Sequence, residues 1–323
     1  LKIIVTGGAG FIGANLCREL AARPRVRQVV AIDDLSTGSA ANLGGLDVRL
    51  AEGSILDHDL VEETVAGADA MVHLAARPSV PRSLADPVAS HEANASGTVH
   101  LLEACRRHRV HMIVASSSSV YGSVRELPKH EDLATRPLSP YGASKLAAES
   151  YALAYGASFG LPTLALRFFN VYGPLQPAAH AYAAVIPAFI DAALRGEPVR
   201  VHGDGHQTRD FTYVGTVTRV LADAALRTVT CPDPVNLAFG TRISILELIR
   251  RLEDVLGMPI AVRHTSPRAG DVRDSQAAAD RLRELFPEVA PVPLDVGLAR
   301  TVEWFRGLPH RPGEPAPGEP VAG

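Results

Sequence analysis

The chain has 323 residues, enough to bury a full core, and its 46% hydrophobic and 21% charged residues are those of an ordinary globular protein. A formal net charge of -3 gives no reason to expect nucleic acid or an anionic membrane as partner, and no apolar run approaches the roughly 20 residues that span a bilayer. Cys17, Cys105 and Cys231 lie far apart with no CxxC pair, so free thiols in a reducing, cytoplasmic setting are expected rather than a disulfide frame or a metal site.

Residues 2–6 open the chain as a strand, so no signal peptide is expected. Residues 29–33, 48–52, 70–75 and 112–116 are likewise short apolar runs bounded by turn residues. Helix-length segments at 11–22, 87–107 and 139–159 lie among them. Strand and helix in repetition predict an α/β fold, a Rossmann-type doubly wound parallel sheet with right-handed crossovers. After a further run at 163–169 the pattern loosens. Pro174, Pro177 and Pro187 break a long stretch before 188–194, Gly203-Asp204-Gly205 marks a turn, and helical periodicity returns at 245–256. The expected organisation is a nucleotide-binding domain at 1–169 with one or two later elements returning to it. A smaller, discontinuous substrate lobe is expected at 170–306, and a Pro/Gly-rich, disordered tail at 307–323.

Thr6-Gly7-Gly8-Ala9-Gly10-Phe11-Ile12-Gly13 joins the first strand to the first helix. Gly7, Gly10 and Gly13 give the tight turn, the close backbone approach and the close helix–sheet packing that a pyrophosphate site needs. A plain turn has no need of this placement. Asp33 ends the second strand, twenty residues beyond Gly13. A carboxylate there accepts from the adenosine ribose hydroxyls and repels a 2′-phosphate, which favours NAD over NADP. Adjacent strand residues point to opposite faces, so Asp33 is preferred to Asp34. Asp34 is either a second ribose ligand or a loop cap.

Tyr141-Gly142-Ala143-Ser144-Lys145 puts a tyrosine and a lysine one helical turn apart on one face. A phenol of pKa near 10 is a poor base at neutral pH, and a nearby ammonium favours its ionised form. Upstream, Ala115-Ser116-Ser117-Ser118-Ser119-Val120-Tyr121-Gly122 ends a strand in hydroxyls, where substrates of doubly wound sheets sit.

Together these motifs resemble the extended short-chain dehydrogenase/reductase family, and within it the UDP-hexose 4-epimerases. The resemblance covers about residues 2–305. It is carried by TGGAGFIG, DDLSTG at 33–38, HLAA at 73–76, SSSSVYG, YxxxK and RFFNVYGP at 167–174, in family order. It implies NAD as cofactor and a catalytic set of Ser117, Tyr141 as base, and Lys145 as its partner, which also holds the nicotinamide ribose. It implies cofactor contacts at Gly7, Gly10, Phe11, Ile12, Gly13, Asp33, Asp34, Ser36, Thr37, Gly38, Leu74, Ala75, Ala76, Asn94, Ser116, Tyr141, Lys145 and Phe168. The adenine amine is read by Ser54 or by the Ile55 backbone, since the family's frequent Asp in that turn is absent. His73 is expected to pack or hydrogen-bond behind the cofactor. A homodimer through two long helices is implied as well.

Substrate contacts implied by the resemblance are Ser118, Ser119, Asn170, Val185, His202, Arg209, Arg268, Asp271 and Ser275. Arg209 and Arg268 are expected to fork onto a diphosphate, Asp271 to accept from ribose hydroxyls, and Val185 and His202 to border the base. Ser275 stands at the position that gates sugar size, and its small side chain leaves space for an N-acetyl group. Dehydratases of the family carry an acid just before VYG, where this chain has Ser118 and Ser119, and serine cannot supply that proton chemistry. The expected activity is therefore an NAD-dependent UDP-sugar 4-epimerase passing through a 4-keto sugar. UDP-glucuronate 4-epimerase, a related dehydratase or reductase, and a non-enzymatic NAD-binding regulator are the alternatives. The intact Ser117–Tyr141–Lys145 set argues against the last. No metal site is expected.

Overall fold

The computed structural model describes residues 1–178, 184–266 and 273–308. Its first half alternates strand and helix as the apolar runs predict. The order is β1 (Lys2–Thr6), α1 (Phe11–Ala21), β2 (Gln28–Asp33), β3 (Arg49–Glu52), α2 (His58–Val65) and β4 (Ala70–His73). Three short helical pieces follow, α3 (Val80–Ala85), α4 (Pro87–His91) and α5 (Gly97–His108), then β5 (His111–Ser117), α6 (Pro140–Phe159) and β6 (Thr163–Phe168). Strands β1, β2, β4, β5 and β6 are buried almost end to end, as parallel strands covered on both faces must be.

One expected helix is broken. The periodic stretch at 87–107 divides at Glu92–Ser96, where the chain takes a wider π turn between α4 and α5. Such a turn inserts an extra residue and re-aims side chains, often at functional sites. Here it carries Asn94 inward. Asp86 caps α4 separately by accepting from the Ala89 N–H, so the helix starts afresh rather than continuing α3.

The second half begins with β7 (Asn170–Tyr172), α7 (Val185–Leu194), β8 (Val199–His202), β9 (Thr208–Arg209), β10 (Phe211–Tyr213) and α8 (Val214–Arg227). It continues with β11 (Val235–Leu237), β12 (Ile243–Ser244), α9 (Ile245–Leu256), β13 (Val262–Thr265), α10 (Asp280–Leu285) and α11 (Leu294–Arg306). Strand β11 pairs in parallel with β6 and completes a seven-stranded sheet of order β11-β6-β5-β4-β1-β2-β3. Helix α8 shares the core of α1 through Val217, Val220 and Leu221. The remaining strands pair two by two, β7 with β10, β8 with β13 and β9 with β12, around a separate core that includes Tyr172, Phe189, Leu248 and Leu298. The strand order reverses between β1 and β4, and a crevice outside the carboxyl ends there is where such sheets bind ligands.

Candidate active site

The turn after β1 is packed too tightly for side chains. A Cβ on Gly13 would lie 2.0 Å from the Gly7 carbonyl oxygen, so α1 can cross the turn only as glycine. Gly10 caps α1 without a side-chain hydrogen bond, and the first turn of the helix carries no acid. The N–H groups of that turn, with the positive end of the helix dipole, are suited to an anion. Phe11 and Ile12 are half-buried over this end. The turn is tied to β2 by the Gly7 N–H, which donates to Ile32 O at 2.7 Å.

Asp33 is buried at the end of β2. Its Oδ2 accepts from the Ala9 N–H and its Oδ1 from the Leu35 N–H, each at 2.9 Å. Each carboxylate oxygen keeps a further lone pair. Asp34 is exposed and accepts from both the backbone N–H and the hydroxyl of Ser36, which makes it a loop cap. Ser36 and Thr37 are exposed, and Gly38 lies against Ala9 beside the Asp33 carboxylate. In the next loop Ser54 Oγ accepts from the Leu56 N–H at 3.2 Å, and Ile55 is buried.

Behind the turn runs a chain of buried hydrogen bonds whose direction is fixed. The Thr98 hydroxyl donates to Asn94 O at 2.6 Å, so its oxygen accepts from His73 Nε2 at 3.0 Å. His73 Nδ1 then accepts from the Thr6 hydroxyl at 2.7 Å, and Thr6 Oγ1 accepts from the Ala75 N–H at 3.2 Å. Burial, with Lys145 nearby, pushes the imidazole down to about 3, so His73 is a neutral link. It joins β1, β4 and α5 beneath Leu74, Ala75 and Ala76, which are half-buried. The Asn94 side chain is buried and makes three hydrogen bonds inside the protein. It accepts from the Arg77 N–H, and donates to Arg77 O and to Ser144 Oγ at 3.0 Å. Ser144 in turn donates to Tyr141 O. Through its side chain Asn94 therefore braces helix α6.

Helix α6 begins at Pro140 with Ser139 as N-cap, accepting from the Gly142 N–H at 3.1 Å. A Cβ on Gly142 would sit 2.8 Å from Ser119 O, so the helix start presses directly on the serine turn. Tyr141 is partly exposed there. Burial pushes its phenol above the ordinary value, and the hydroxyl of Ser117 partly offsets the push. Lys145 is buried, donates to Ala115 O at 2.9 Å, and is pulled down to about 8 by desolvation. Ser117 is buried and accepts from the Ser119 N–H, while Ser118 and Ser119 are half-buried.

Ser116 points the other way. Its hydroxyl donates to Glu149 Oε2 at 2.6 Å, behind the site. Glu149 also takes two hydrogen bonds from Arg167, whose guanidinium stacks on the Tyr121 ring at 4.8 Å. This buried, bidentate pair fixes α6 to β5 and β6 one turn beyond Lys145. Phe168 is buried in the sheet core at the end of β6.

Asn170 begins β7 and donates its N–H to Asp210 O at 3.1 Å. Val185 opens α7, half-buried. His202 ends β8 and shares a hydrogen bond with Thr265 Oγ1 at 2.9 Å. Arg209 donates to Thr208 O and to Arg273 O. Ser275, half-buried, donates its N–H to Thr208 O at 3.2 Å, so the structure brings Ser275 beside the β9 strand that carries Arg209. Arg268 and Asp271 lie outside the described residues. The strap at 273–277 reaches the serine turn through Ala277, which packs in one cluster with Val120, Tyr121 and Phe169. The sequence patterns did not single out Gly142, Glu149 or Asp210. Glu149, four residues after Lys145 on the same helix face, is the one that spacing can reveal.

A family model described as the NAD dependent epimerase/dehydratase family matches residues 3–238. The chain belongs to that family. The fit of its residues to NAD is internal to the structure: a glycine turn no side chain can enter, an uncapped helix start, and Asp33 at the end of β2. A UDP-glucose 4-epimerase of Mycolicibacterium smegmatis is 36% identical, covering 95% of this chain and 99% of that protein. A dTDP-glucose 4,6-dehydratase of Streptomyces niveus is 35% identical, covering 95% and 93%. Among solved structures, the UDP-N-acetylglucosamine 4-epimerase of Methanobrevibacter ruminantium in complex with UDP-N-acetylmuramic acid superposes with a TM-score of 0.89. It is 35% identical, with 94% of this chain and 98% of that one covered.

Proposed function

We propose that this family member is a UDP-sugar 4-epimerase, and that Ser117, Tyr141 and Lys145 carry the reaction. The observation that separates it from a dehydratase is the serine turn. Residues 116–119 are all serine, and Glu149, the carboxylate behind them, is closed off by Arg167 and Ser116. The turn therefore carries no acid or base suited to eliminating water. Bound NAD supplies a reversible hydride acceptor at the sugar's C4 and a positive ring that favours the phenolate. Tyr141 takes the proton of the 4-hydroxyl and later returns it, with the Ser117 hydroxyl in the hydrogen-bond path. Lys145, held on Ala115 O, orients the cofactor's ribose and adds positive charge. Arg209 and Asn170 anchor the diphosphate while the 4-keto sugar turns over, so that C4 would take the hydride back on its opposite face while Tyr141 returns the proton to the oxygen. The domain division at 170 follows the same split of labour, with the cofactor held by the sheet and the sugar nucleotide by the lobe.

The test is product identification after incubation with UDP-glucose, UDP-N-acetylglucosamine and their thymidine counterparts. The 4-epimer without net change in cofactor supports the reading. An unsaturated or deoxy-keto sugar, or stoichiometric consumption of reduced cofactor, overturns it. We further propose a cytoplasmic homodimer. Leu84, Val88, Tyr151 and Phe159 are exposed along α3, α4 and α6, where a second copy covers them. The three cysteines are free, which suits a reducing compartment. Solution scattering that gives a monomer at all concentrations refutes the dimer.

A further inference from the structure

Asp210 is fully buried between Arg209 and the start of β10, and no catalytic step uses it. Its Oδ2 accepts from the Ala277 N–H at 2.9 Å and from the Gly240 N–H at 3.2 Å. Its Oδ1 is buried without a hydrogen-bond partner among the described residues. A buried carboxylate without a cationic partner is costly, and an apolar side chain would fill the same space more cheaply. What the carboxylate does is bind three segments distant in sequence: β9–β10, the loop after β11, and the strap at 273–277.

The residues around it repeat that connection. Thr208 N–H donates to Arg273 O at 3.0 Å, and Ser275 N–H returns a hydrogen bond to Thr208 O. The Thr208 hydroxyl donates to Asp274 Oδ1 at 2.7 Å, and Arg242 reaches the same carboxylate at 3.2 Å. Asp210 O accepts from the Asn170 N–H. Apart from the arm to Gly240, these arms end on or near a residue placed at the sugar nucleotide: Arg209, Asn170 or Ser275. None ends on the cofactor turn.

We propose that Asp210, with Thr208 and Asp274, is a positioning clamp for the nucleoside-diphosphate half of the substrate. It holds the strap against β9, so that Arg209 and the strap face the ligand in one arrangement. This rests on the UDP-sugar reading above. Burial, opposed by the surrounding N–H groups, raises the Asp210 carboxyl to about 7, consistent with a group retained for its acceptor oxygens rather than for stability.

The test compares wild type and Asp210→Asn by titration with UDP, by NAD content, and by kcat and KM. The amide keeps the shape and can still turn its oxygen to the Ala277 and Gly240 N–H groups, but it removes the charge that strengthens those hydrogen bonds. Loss of charge-assisted hydrogen bonds of this kind costs about ten- to a hundredfold in affinity. UDP affinity is expected to weaken by that factor and KM to rise in step, with NAD content and kcat near wild type. Asp274→Ala, which removes a half-exposed arm of the clamp, is expected to shift UDP affinity in the same direction by less, and serves if Asp210→Asn accumulates poorly. Wild type that binds no UDP overturns the functional reading, and the clamp with it. Wild type that binds UDP, beside variants that bind it equally well or lose NAD in proportion, overturns the clamp alone.

Discussion

The glycine turn at 6–13 and the strap at 273–277 both press backbone against backbone, by opposite means. In the turn the approach is made by removing atoms, since a Cβ on Gly13 would overlap the Gly7 carbonyl. In the strap it is made by adding them, with Asp210, Thr208 and Asp274 reaching across to hold N–H and hydroxyl groups. A site built by omission is rigid and serves one cofactor. A site built by side-chain hydrogen bonds can change its occupant with a few substitutions, which suits the half proposed to select a sugar.

If the chemistry belongs wholly to the sheet half, the largest effect is at its edge. Tyr141→Phe removes the proton acceptor and leaves both binding halves intact. Turnover is expected to fall by about a hundred- to ten-thousandfold, the usual worth of general acid–base catalysis, with UDP affinity and NAD content unchanged. Steady-state kinetics beside UDP titration reads this directly. A near-normal rate removes Tyr141 from the mechanism.

Lys145→Met sharpens the same point through stability. The buried ammonium is pulled from 10.5 down to about 8, so the folded cofactor-free protein carries a desolvation cost whenever the lysine is charged. Between pH 8 and 10.5 the unfolded chain binds the extra proton, and wild-type stability therefore rises with pH. Relative to Lys145→Met the rise is on the order of 3 kcal/mol, while the variant has lost activity at every pH. Denaturant melts of both proteins across that range measure it, and parallel pH profiles mean that Lys145 is solvated.

Gly13→Ala tests the omission itself. The added methyl forces α1 away from the turn, and NAD affinity is expected to drop by upwards of about a hundredfold, at the high end of what overpacking costs. UDP affinity is expected to hold, because no arm of the strap touches the turn. Equal losses for both ligands mean that the two halves are not separable.

The same contrast decides what the sequence reveals. Omission leaves a mark: the glycine spacing, the acid twenty residues on, and the YxxxK spacing are local, and all three fall at the carboxyl end of the sheet. Side-chain clamps leave none. Asp210 meets Ala277 across 67 residues, and nothing in a linear pattern pairs them. Resemblance matches Asn94 and Ser116 to cofactor positions, and it says nothing of the hydrogen bonds their side chains make to Ser144 and Glu149. A matched position locates a Cα, whereas the π turn at Glu92–Ser96 and the pleat of β5 decide where the side chain goes.

The smallest expected effect is in the strap, and it concerns selection rather than rate. Ser275 is half-buried, tied by its N–H to Thr208 O, one residue from the Asp274 arm of the clamp. On the proposal that Ser275 gates the sugar pocket, its small hydroxyl would leave room for an acetamido group and a tyrosine there would fill that room. Overfilling a packed site costs roughly 1–3 kcal/mol. For Ser275→Tyr, kcat/KM on the N-acetylated UDP-sugars is thus expected to fall about ten- to a hundredfold, with the UDP-glucose and UDP-galactose pair nearly untouched. Ser275→Ala, which keeps the space, is expected to behave as wild type with both pairs. Because the strap is held by Thr208 and Asp210 rather than by Ser275's side chain, neither variant should alter UDP affinity. A loss shared by acetylated and plain sugars means that the tyrosine has displaced the strap. No loss in either means that the acetamido group lies elsewhere.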